Sequence, residues 1–280
     1  MTGALGIIAG GGELPQAIAE SVRESGREVF VVGLKGSADV WLERYPHTWA
    51  SLGEVGKVLK SLNGAKCSDV LLAGKLARPK FNEIKLDTKG VLVAPRIIAA
   101  ARKGDDALLR AVADTFAREG FGILGAAEAA PGLLAPDGVL GRIRPTADNE
   151  EDISAAFSIV RTMGALDVGQ AAVVCDGLAL AVEAAEGTDA MIARVGALPQ
   201  HLRGTPADRR GVLAKAPKPI QDRKTDLPVI GVQTVRHAAA AGLAGIAIEA
   251  EGALILGKRA VVEEADVLGL FIVGVPAAKP

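Results

Sequence analysis

The residue types best suited to chemistry on a phosphate are concentrated between positions 211 and 231. This segment, GVLAKAPKPIQDRKTDLPVIG, begins with an apolar run at Val212 and Leu213, and Pro228 opens a predicted helix over 228–241. Its charged residues mix both signs and are separated by prolines: Lys215, Lys218, Asp222, Arg223, Lys224 and Asp226. Lysine and arginine bind phosphate oxygens, and carboxylates hold hard divalent cations through oxygen. The segment therefore indicates a site for a phosphoanion and a metal, with a solvated surface loop as the alternative.

A second group of polar residues lies at the start of a predicted helix in the same half of the chain. Glu183 follows the apolar run 178–182, and Gly187 and Thr188 come just before the helical pattern of 190–196. Thr188 suits the N-cap of this helix, and Asp189 suits its first turn. The Gly-Thr pair also suits an anion, because the N–H groups at a helix start are unpaired. Glu183, Glu186 and Asp189 could also direct carboxylates at a shared metal, so a structural and a functional interpretation stand side by side.

The amino-terminal segment has the pattern of a nucleotide-binding domain. An apolar run at 5–9 leads into Gly10, Gly11 and Gly12, a helical pattern follows, and a second apolar run occupies 29–34. Glycines at this point let the backbone approach a phosphate at the start of a helix. Lys75 follows the predicted strand 69–73 and would face the crevice in which such sheets bind ligands. The alternative is a glycine turn that only permits tight packing between strand and helix.

Two features of this segment count against a dinucleotide cofactor. The glycines are consecutive, so their spacing is not G-x-G-x-x-G. The second predicted strand ends in VVGLKGS, without the Asp or Glu that holds the ribose in dinucleotide enzymes. A nucleotide-dependent oxidoreductase is therefore only an alternative function, and a non-catalytic module that binds a nucleotide-sugar is another.

Length and patterning predict an α/β protein with two domains. The 280 residues exceed the usual size of one domain. We expect a Rossmann-like N-terminal domain over 1–132, a linker over 133–148, where prolines and glycines lack periodicity, and a C-terminal α/β domain over 149–280. In the second domain two apolar runs flank Asp176 and Gly177, which is a strong hairpin signal. A ligand cleft is expected between the two domains.

Composition excludes one class of partner. Lysine and arginine number 32 against 33 acidic residues, whereas a general nucleic-acid binder needs a basic excess.

Cys67 and Cys175 have apolar neighbours and predict reduced core thiols of a cytosolic protein. Neither a leader pattern nor a run of about 18 apolar residues is visible, so we expect a cytoplasmic location. A peripheral contact with the inner membrane and a homodimer are left open.

Several stretches of the chain together resemble one enzyme family. The set resembles the UDP-2,3-diacylglucosamine pyrophosphatases of the LpxI type, in the expected order and over nearly the whole chain. The stretches are GIIAGGGELP (6–15), KGDDALLRAVA (103–113), LDVGQAAVV (166–174), LAVEAAEGTDAMIARVG (180–196), KPIQDRKTDLPVIG (218–231) and GLAGIAIEA (242–250).

The resemblance implies an enzyme of lipid A biosynthesis. Such enzymes use water and Mg²⁺ to cleave UDP-2,3-diacylglucosamine into UMP and 2,3-diacylglucosamine 1-phosphate (lipid X). Water attacks the phosphorus on the sugar side, the aspartate of the DLP segment, here Asp226, serves the metal-assisted step, and the two domains close over the substrate and shelter its acyl chains.

Combining the residues with the resemblance gives a set of expected roles. We expect Asp226 and Asp222 to be catalytic, and Asp226, Asp189 and Glu183 to hold Mg²⁺. The substrate-binding set that we expect is Gly10, Gly11, Gly12, Lys75, Thr188, Lys215, Lys218 and Arg223.

Overall fold

The chain folds as two units, Met1–Gly132 and Leu133–Pro280. The computed structural model describes residues 3–76, 84–219 and 227–277. The first unit combines a parallel sheet with helices, and the second combines a mixed sheet with helices, which confirms the predicted α/β class.

The first unit contains a parallel sheet with the strand order of a doubly wound fold. Its strands are β1 (Ala4–Ala9), β2 (Val29–Leu34), β3 (His47–Ala50), β4 (Cys67–Ala73) and β5 (Gly122–Ile123), in the order β3-β2-β1-β4-β5. Its helices are α1 (Leu14–Glu24), α2 (Val55–Gly64), α3 (Thr88–Ala101), α4 (Asp105–Arg118) and α5 (Ala126–Ala129). The order reverses between β1 and β4, and ligands of such sheets bind where this reversal occurs.

Alternation along the strands distributes the first core over two faces. Ile8 and Val32 pack in one cluster with Leu59 and Leu62 of α2 and with Phe116 of α4. Successive side chains of a strand point to opposite faces, so the neighbouring residues of β1 and β2 point the other way, where α1 packs. The predicted Rossmann-like start of the chain is confirmed by this arrangement.

The second unit contains a mixed sheet flanked by helices. Its strands are β6 (Gly138–Leu140), β7 (Ala171–Cys175), β8 (Leu178–Val182), β9 (Val212–Lys215), β11 (Gly245–Glu249) and β13 (Phe271–Val275), in the order β6-β13-β11-β9-β7-β8. A separate parallel pair joins β10 (Val229–Ile230) to β12 (Leu254–Ile255). The helices are α6 (Ala147–Ala165), α7 (Thr188–Gly196), α8 (Val232–Ala240) and α9 (Lys258–Leu268).

The faces of this sheet bury different helices. Leu213 of β9 belongs to a cluster that contains residues of α7, α8 and α9, whereas Val212 and Ala214 belong to a cluster with α6. This alternation sets the direction of every side chain in β9, including Lys215, which follows the parity of Leu213.

The predicted hairpin is confirmed, and its tip has a buried anchor. β7 and β8 pair antiparallel, and Asp176 and Gly177 at the turn have φ of 52° and 75°. Positive φ at both central residues is the conformation that Asp-Gly turns provide. Asp152 of α6, which is 2% exposed, accepts hydrogen bonds from the backbone N of Asp176 at 3.1 Å and of Gly177 at 2.8 Å.

Two predicted segments differ in the structure. Residues 133–148 were expected as a linker, but they supply β6, which pairs antiparallel with β13, and the start of α6. A strand this short carries too little periodicity to be seen among glycines and prolines. The helix expected from Pro228 begins instead at Val232, because the chain first forms β10.

Among the residues that the structure describes, no helix has both the length and the apolar composition to cross a bilayer.

Candidate functional site

The carboxyl edge of the second sheet brings together three charged residues that are almost completely buried. β8, β9 and β11 run in the same direction, so Glu183 after β8, Lys215 at the end of β9 and Glu249 at the end of β11 lie along one edge. Their exposed fractions are 7%, 4% and 4%. Burying a charged group is costly unless hydrogen bonds or opposite charges compensate it, so each of these buried charges is expected to have polar partners along this edge.

Thr188 connects two of these charges. The ammonium Nζ of Lys215 donates to Thr188 Oγ1 at 3.0 Å, and Thr188 Oγ1 donates to Glu183 Oε1 at 2.8 Å. The backbone N of Gln170 donates to the other carboxylate oxygen of Glu183 at 3.2 Å. A hydroxyl can accept and donate at once, so Thr188 joins the cation to the carboxylate. The structure thus brings together Glu183, Thr188 and Lys215, which the sequence predicted separately.

The position of Lys215 follows from the strand that ends in it. The parity of β9 directs its side chain to the face that carries α7, and the backbone carbonyl of Val229 accepts a second hydrogen bond from Nζ at 3.0 Å. An ammonium whose donors are fixed by two oxygens is held at a defined point. Such a group can meet negative charge on a phosphate with little reorganisation.

The structure corrects the capping role expected for Thr188. The N-cap of α7 is Gly187, with φ of 81°, and Thr188 is the first helical residue. Its side chain is therefore turned to Glu183 and Lys215, and it does not accept from its own helix. The local sequence pattern of an N-cap is similar in both arrangements, which is why the sequence did not distinguish them.

Asp189 lies on a different side of α7 from this network. Its Oδ1 lies 3.1 Å from Nδ1 of His237 in α8, and both side chains are about half exposed. Within residues 3–76, 84–219 and 227–277, no group of three acidic, histidine or cysteine side chains is placed to hold a metal ion. The described residues therefore do not bring Glu183 and Asp189 together at a metal centre.

Lys218 lies next to the same edge. Its Nζ donates to Asp167 Oδ1 at 2.7 Å, and the Lys218 side chain is 22% exposed. Gly164 at the end of α6 packs against Lys218 and Pro219, where an added Cβ would lie 3.1 Å from Pro219 Cδ. The absence of a side chain at Gly164 thus allows the chain to leave β9 close to α6.

Three of the expected residues, Asp222, Arg223 and Asp226, lie outside the described residues. The described chain stops at Pro219 and resumes at Leu227, two residues before the carbonyl of Val229 that accepts from Lys215.

The sequence did not single out Glu249. Its strand, GIAIE, ends in an acid after a buried apolar run, as LALAVE does at Glu183. Gly252 packs on the carboxylate, since an added Cβ there would lie 2.5 Å from Glu249 Oε1. An acid that closes a continuous apolar strand was the available signal, and it marks both buried carboxylates of this edge.

The glycine turn of the first unit lies where the strand order reverses. Gly11 and Lys75 exchange backbone hydrogen bonds of 2.8 Å in each direction, so the turn after β1 is paired with the chain that follows β4. An added Cβ would lie 2.5 Å from the carbonyl O of Lys75 at Gly10, and 2.7 Å from the carbonyl O of Ser37 at Gly11. These two glycines are required by the close approach of backbones, as the interpretation of a glycine turn for tight packing predicts.

Gly12 differs from its neighbours. Its φ is 88°, and in the part of the chain that the structure describes no heavy atom beyond the adjacent residues lies within 4 Å of the position of an added Cβ. The helix that follows begins at Leu14 with Pro15 in its first turn and has no side-chain cap bond. Open space beside Gly12, in front of a helix start, leaves room for an anionic group.

Known proteins match the chain along nearly its whole length. A model of the LpxI N-terminal domain matches residues 4–133, and a model of the LpxI C-terminal domain matches residues 136–273. The chain is 50% identical over 277 residues, 99% of each chain, to the UDP-2,3-diacylglucosamine pyrophosphatase LpxI of Caulobacter vibrioides. The chain therefore belongs to the LpxI family.

Proposed function

We propose that this protein hydrolyses the pyrophosphate of UDP-2,3-diacylglucosamine to UMP and 2,3-diacylglucosamine 1-phosphate, a step of lipid A biosynthesis. The observation that carries the proposal is the 50% identity to a pyrophosphatase over 99% of both chains. The buried cation at the edge of the second sheet supports it, because pyrophosphate cleavage increases negative charge on the phosphoryl oxygens.

In this proposal Lys215 neutralises the charge that develops on the phosphoryl group. Its ammonium is fixed by Thr188 and by the Val229 carbonyl, so it need not reorganise as the reaction proceeds. Lys218 is the second cation for the phosphates, and its exposure and its pairing with Asp167 give it a weaker role. Arg223 is proposed as a third on grounds of residue type and motif.

Asp226 is proposed to orient the attacking water, with Asp222 as an accessory acid. The attack forms a bond from water oxygen to the sugar-side phosphorus, and the bond from that phosphorus to the bridging oxygen breaks. UMP departs with the bridging oxygen. Connectivity supports the assignment, because Asp226 immediately precedes Leu227, and the chain at Val229 already contacts Lys215.

Mg²⁺ dependence is part of the same proposal. Mg²⁺ in phosphate sites is held by one or two carboxylates together with substrate phosphates, so it does not require a cage of three protein acids. Asp226 is the proposed protein ligand, and Glu183 is proposed only as a partner of its waters, since Asp189 is directed to His237. When bound, the ion would polarise a phosphoryl oxygen.

The first unit is proposed to hold an anionic part of the substrate. Gly12 and the start of α1 offer space and unpaired N–H groups, while Gly10 and Gly11 fix the backbone that shapes this space. Lys75 is placed beside them by its backbone pairing with Gly11.

The alternatives have weaker support. A nucleotide-dependent oxidoreductase would need an acid after β2, and Lys35 is the first charged residue there. A non-catalytic module that binds the same nucleotide-sugar would bind it without releasing UMP.

We also propose that the protein acts in the cytoplasm, at the inner membrane surface, and as a homodimer. The free thiols of Cys67 and Cys175 are compatible with a reducing compartment.

The test is hydrolysis of UDP-2,3-diacylglucosamine in ¹⁸O-labelled water by the parent protein, Asp226→Ala and Asp208→Ala. Asp208, which is 79% exposed, is a matched acidic control in the same unit. For the parent we expect the ¹⁸O label in 2,3-diacylglucosamine 1-phosphate. In Asp226→Ala we expect kcat to fall by a factor on the order of hundreds, with substrate still bound. EDTA should abolish turnover and Mg²⁺ should restore it. Parental turnover by Asp226→Ala contradicts the role of that residue, and binding without UMP release by the parent contradicts the reaction.

A further inference from the structure

Helix α3 turns an apolar stripe to solvent. Val91, Leu92 and Ile98 are 58%, 72% and 37% exposed, and Pro95 and Ala99 between and beside them are exposed as well. These positions recur at intervals of three and four residues, so they share one face of the helix. A single exposed apolar residue needs no explanation, but five on one helix face form a contiguous patch of the kind that marks an interaction site.

The helix that carries the stripe is firmly attached. Its N-cap residue Asp87 accepts a hydrogen bond from the backbone N of Gly90 at 2.7 Å, and its other oxygen accepts one from the N of Gly56 in α2 at 2.7 Å. Gly90 is buried, and an added Cβ there would lie 2.4 Å from the carbonyl O of Gly53. The side of α3 opposite the stripe packs on α2 and α4. The stripe is therefore presented outward by a fixed element.

Cations border the stripe on one side. Lys89 and Arg96 are seven residues apart in α3, which places them in a row beside the apolar face, and the exposed Arg102 and Lys103 follow the end of the helix at Ala101. Lys89 Nζ lies 2.8 Å from a carboxylate oxygen of Glu119, and Arg96 pairs with Asp114 at 2.5 Å. Ion pairs this exposed are weak, so the cations of the row can still bind other anions.

We propose that the stripe of Val91, Leu92, Pro95, Ile98 and Ala99, with its row of cations, binds the surface of an anionic phospholipid bilayer. An apolar face bordered by lysine and arginine is the pattern of a helix that lies in the plane of a bilayer. With 14 residues, α3 is about 21 Å long, shorter than the roughly 30 Å of a bilayer core, so it lies on the surface.

Charge complementarity selects this partner over an uncharged apolar one. Each lysine or arginine near an anionic surface strengthens binding about fivefold. The inference rests on the proposed function in one respect, because the substrate of the proposed reaction carries two acyl chains and is itself a membrane lipid. It deepens that function by naming the surface that brings the enzyme to its substrate.

The test is flotation of the full-length protein with vesicles of phosphatidylglycerol and phosphatidylethanolamine, and with neutral phosphatidylcholine vesicles. The variants are Leu92→Asp and, as a matched control, Val267→Asp, since Val267 is a 78% exposed apolar residue on helix α9 of the other unit. We expect Leu92→Asp to weaken binding to the anionic vesicles at least tenfold and Val267→Asp less than twofold. The parent should bind neutral vesicles at least tenfold more weakly than anionic ones.

Two further measurements separate the outcomes. Hydrolysis of substrate dispersed in detergent micelles should be unchanged in Leu92→Asp, because micelles remove the need to bind a bilayer. If the parent binds vesicles but does not hydrolyse the substrate, the proposed function is refuted and the membrane-binding surface is still supported. Molar mass by light scattering identifies the competing occupant, a second copy of the chain. A lower mass in Leu92→Asp with undiminished vesicle binding overturns the membrane proposal, as does equal loss of binding in Leu92→Asp and Val267→Asp.

Discussion

Replacing Lys215 by methionine tests whether the buried ammonium acts on the substrate. Methionine keeps the unbranched shape of the side chain and removes the charge. The worth of the charge follows from its surroundings: at 4 Å from a phosphoryl oxygen, and at an effective dielectric constant near 20, a unit charge contributes about 4 kcal/mol. Lys215 is 4% exposed, so this lower dielectric applies to it. A loss of about 4 kcal/mol in the transition state lowers kcat/KM roughly a thousandfold.

Lys218→Met is the comparison that makes the prediction sharp. The Lys218 side chain is 22% exposed, and Asp167, which is 55% exposed, already offsets its charge. In a more aqueous environment a unit charge at the same distance is worth about 1 kcal/mol, so we expect roughly a fivefold loss. The ratio of the two effects, about two hundredfold, thus measures burial as well as charge.

Initial rates of UMP release from UDP-2,3-diacylglucosamine in micelles would be measured for the parent and both variants. Melting temperatures serve as the control for folding. The Lys215 variant leaves the Val229 carbonyl without this donor and the buried Glu183 without the cation linked to it through Thr188, so a loss of stability of about 3–5 kcal/mol and a lower Tm are expected. If Lys215→Met is unstable, Thr188→Val removes only the hydroxyl that positions the ammonium, and roughly a tenfold loss is expected. Near-parental kcat/KM in a folded Lys215→Met, or a larger loss in Lys218→Met, would refute the reasoning.

The other predictions concern stability and thiol chemistry. Asp152→Ala removes the two hydrogen bonds that the buried carboxylate accepts from the backbone N–H groups of the turn. We therefore expect a loss of stability of roughly 3–5 kcal/mol, or about 10 °C in Tm, and Glu151→Ala, an exposed neighbour, is the control. A calorimetric shift below about 2 °C would contradict the anchoring role. Burial raises the pKa of both Cys67 and Cys175 to about 11, so the folded protein keeps its thiol protons at pH values where an unfolded chain, with thiol pKa near 8.5, loses them. Iodoacetamide at pH 8 should therefore label the thiols far more slowly in the folded protein than in urea. Equal labelling rates would contradict this, because they would show that the thiols are accessible as thiolates in the folded protein. The free energy of unfolding should also fall as the pH rises from about 8.5 towards 11, because only the unfolded chain loses its thiol protons in that range.

The sequence was informative where a local pattern determines the structure. Asp176-Gly177 predicts its turn because only a few residue types adopt positive φ at both positions, and neighbouring strands need no distant partner to form a hairpin. Apolar periodicity likewise predicted the start of the first sheet. Lys215 was identified because it belongs to the segment 211–231, whose charges of both signs suit a phosphate and a metal.

The arrangement of the site depends on contacts between distant residues. Thr188 and Val229 are 27 and 14 positions from Lys215, and no spacing rule predicts that all three meet. Asp189 is next to Thr188 in sequence but about 100° away around the helix axis, which directs it to His237. The two glycines Gly10 and Gly11 were recognised as functional candidates, whereas their immediate requirement is the approach of neighbouring backbones.

The β7–β8 hairpin separates the anchored turn of the second unit from the edge that is proposed to act on the substrate. Its turn, held by Asp152, lies at one end of the strands, and Glu183 and Lys215 lie at the other, about 17 Å away along a five-residue strand. Substitutions near the turn should change the melting temperature with little effect on turnover. Substitutions at the opposite end should change turnover more than the melting temperature. In a library of variants measured for both melting temperature and turnover, the residues that affect each property should then cluster at opposite ends of the strands. Stability could therefore be improved by substitutions near the turn without loss of catalysis.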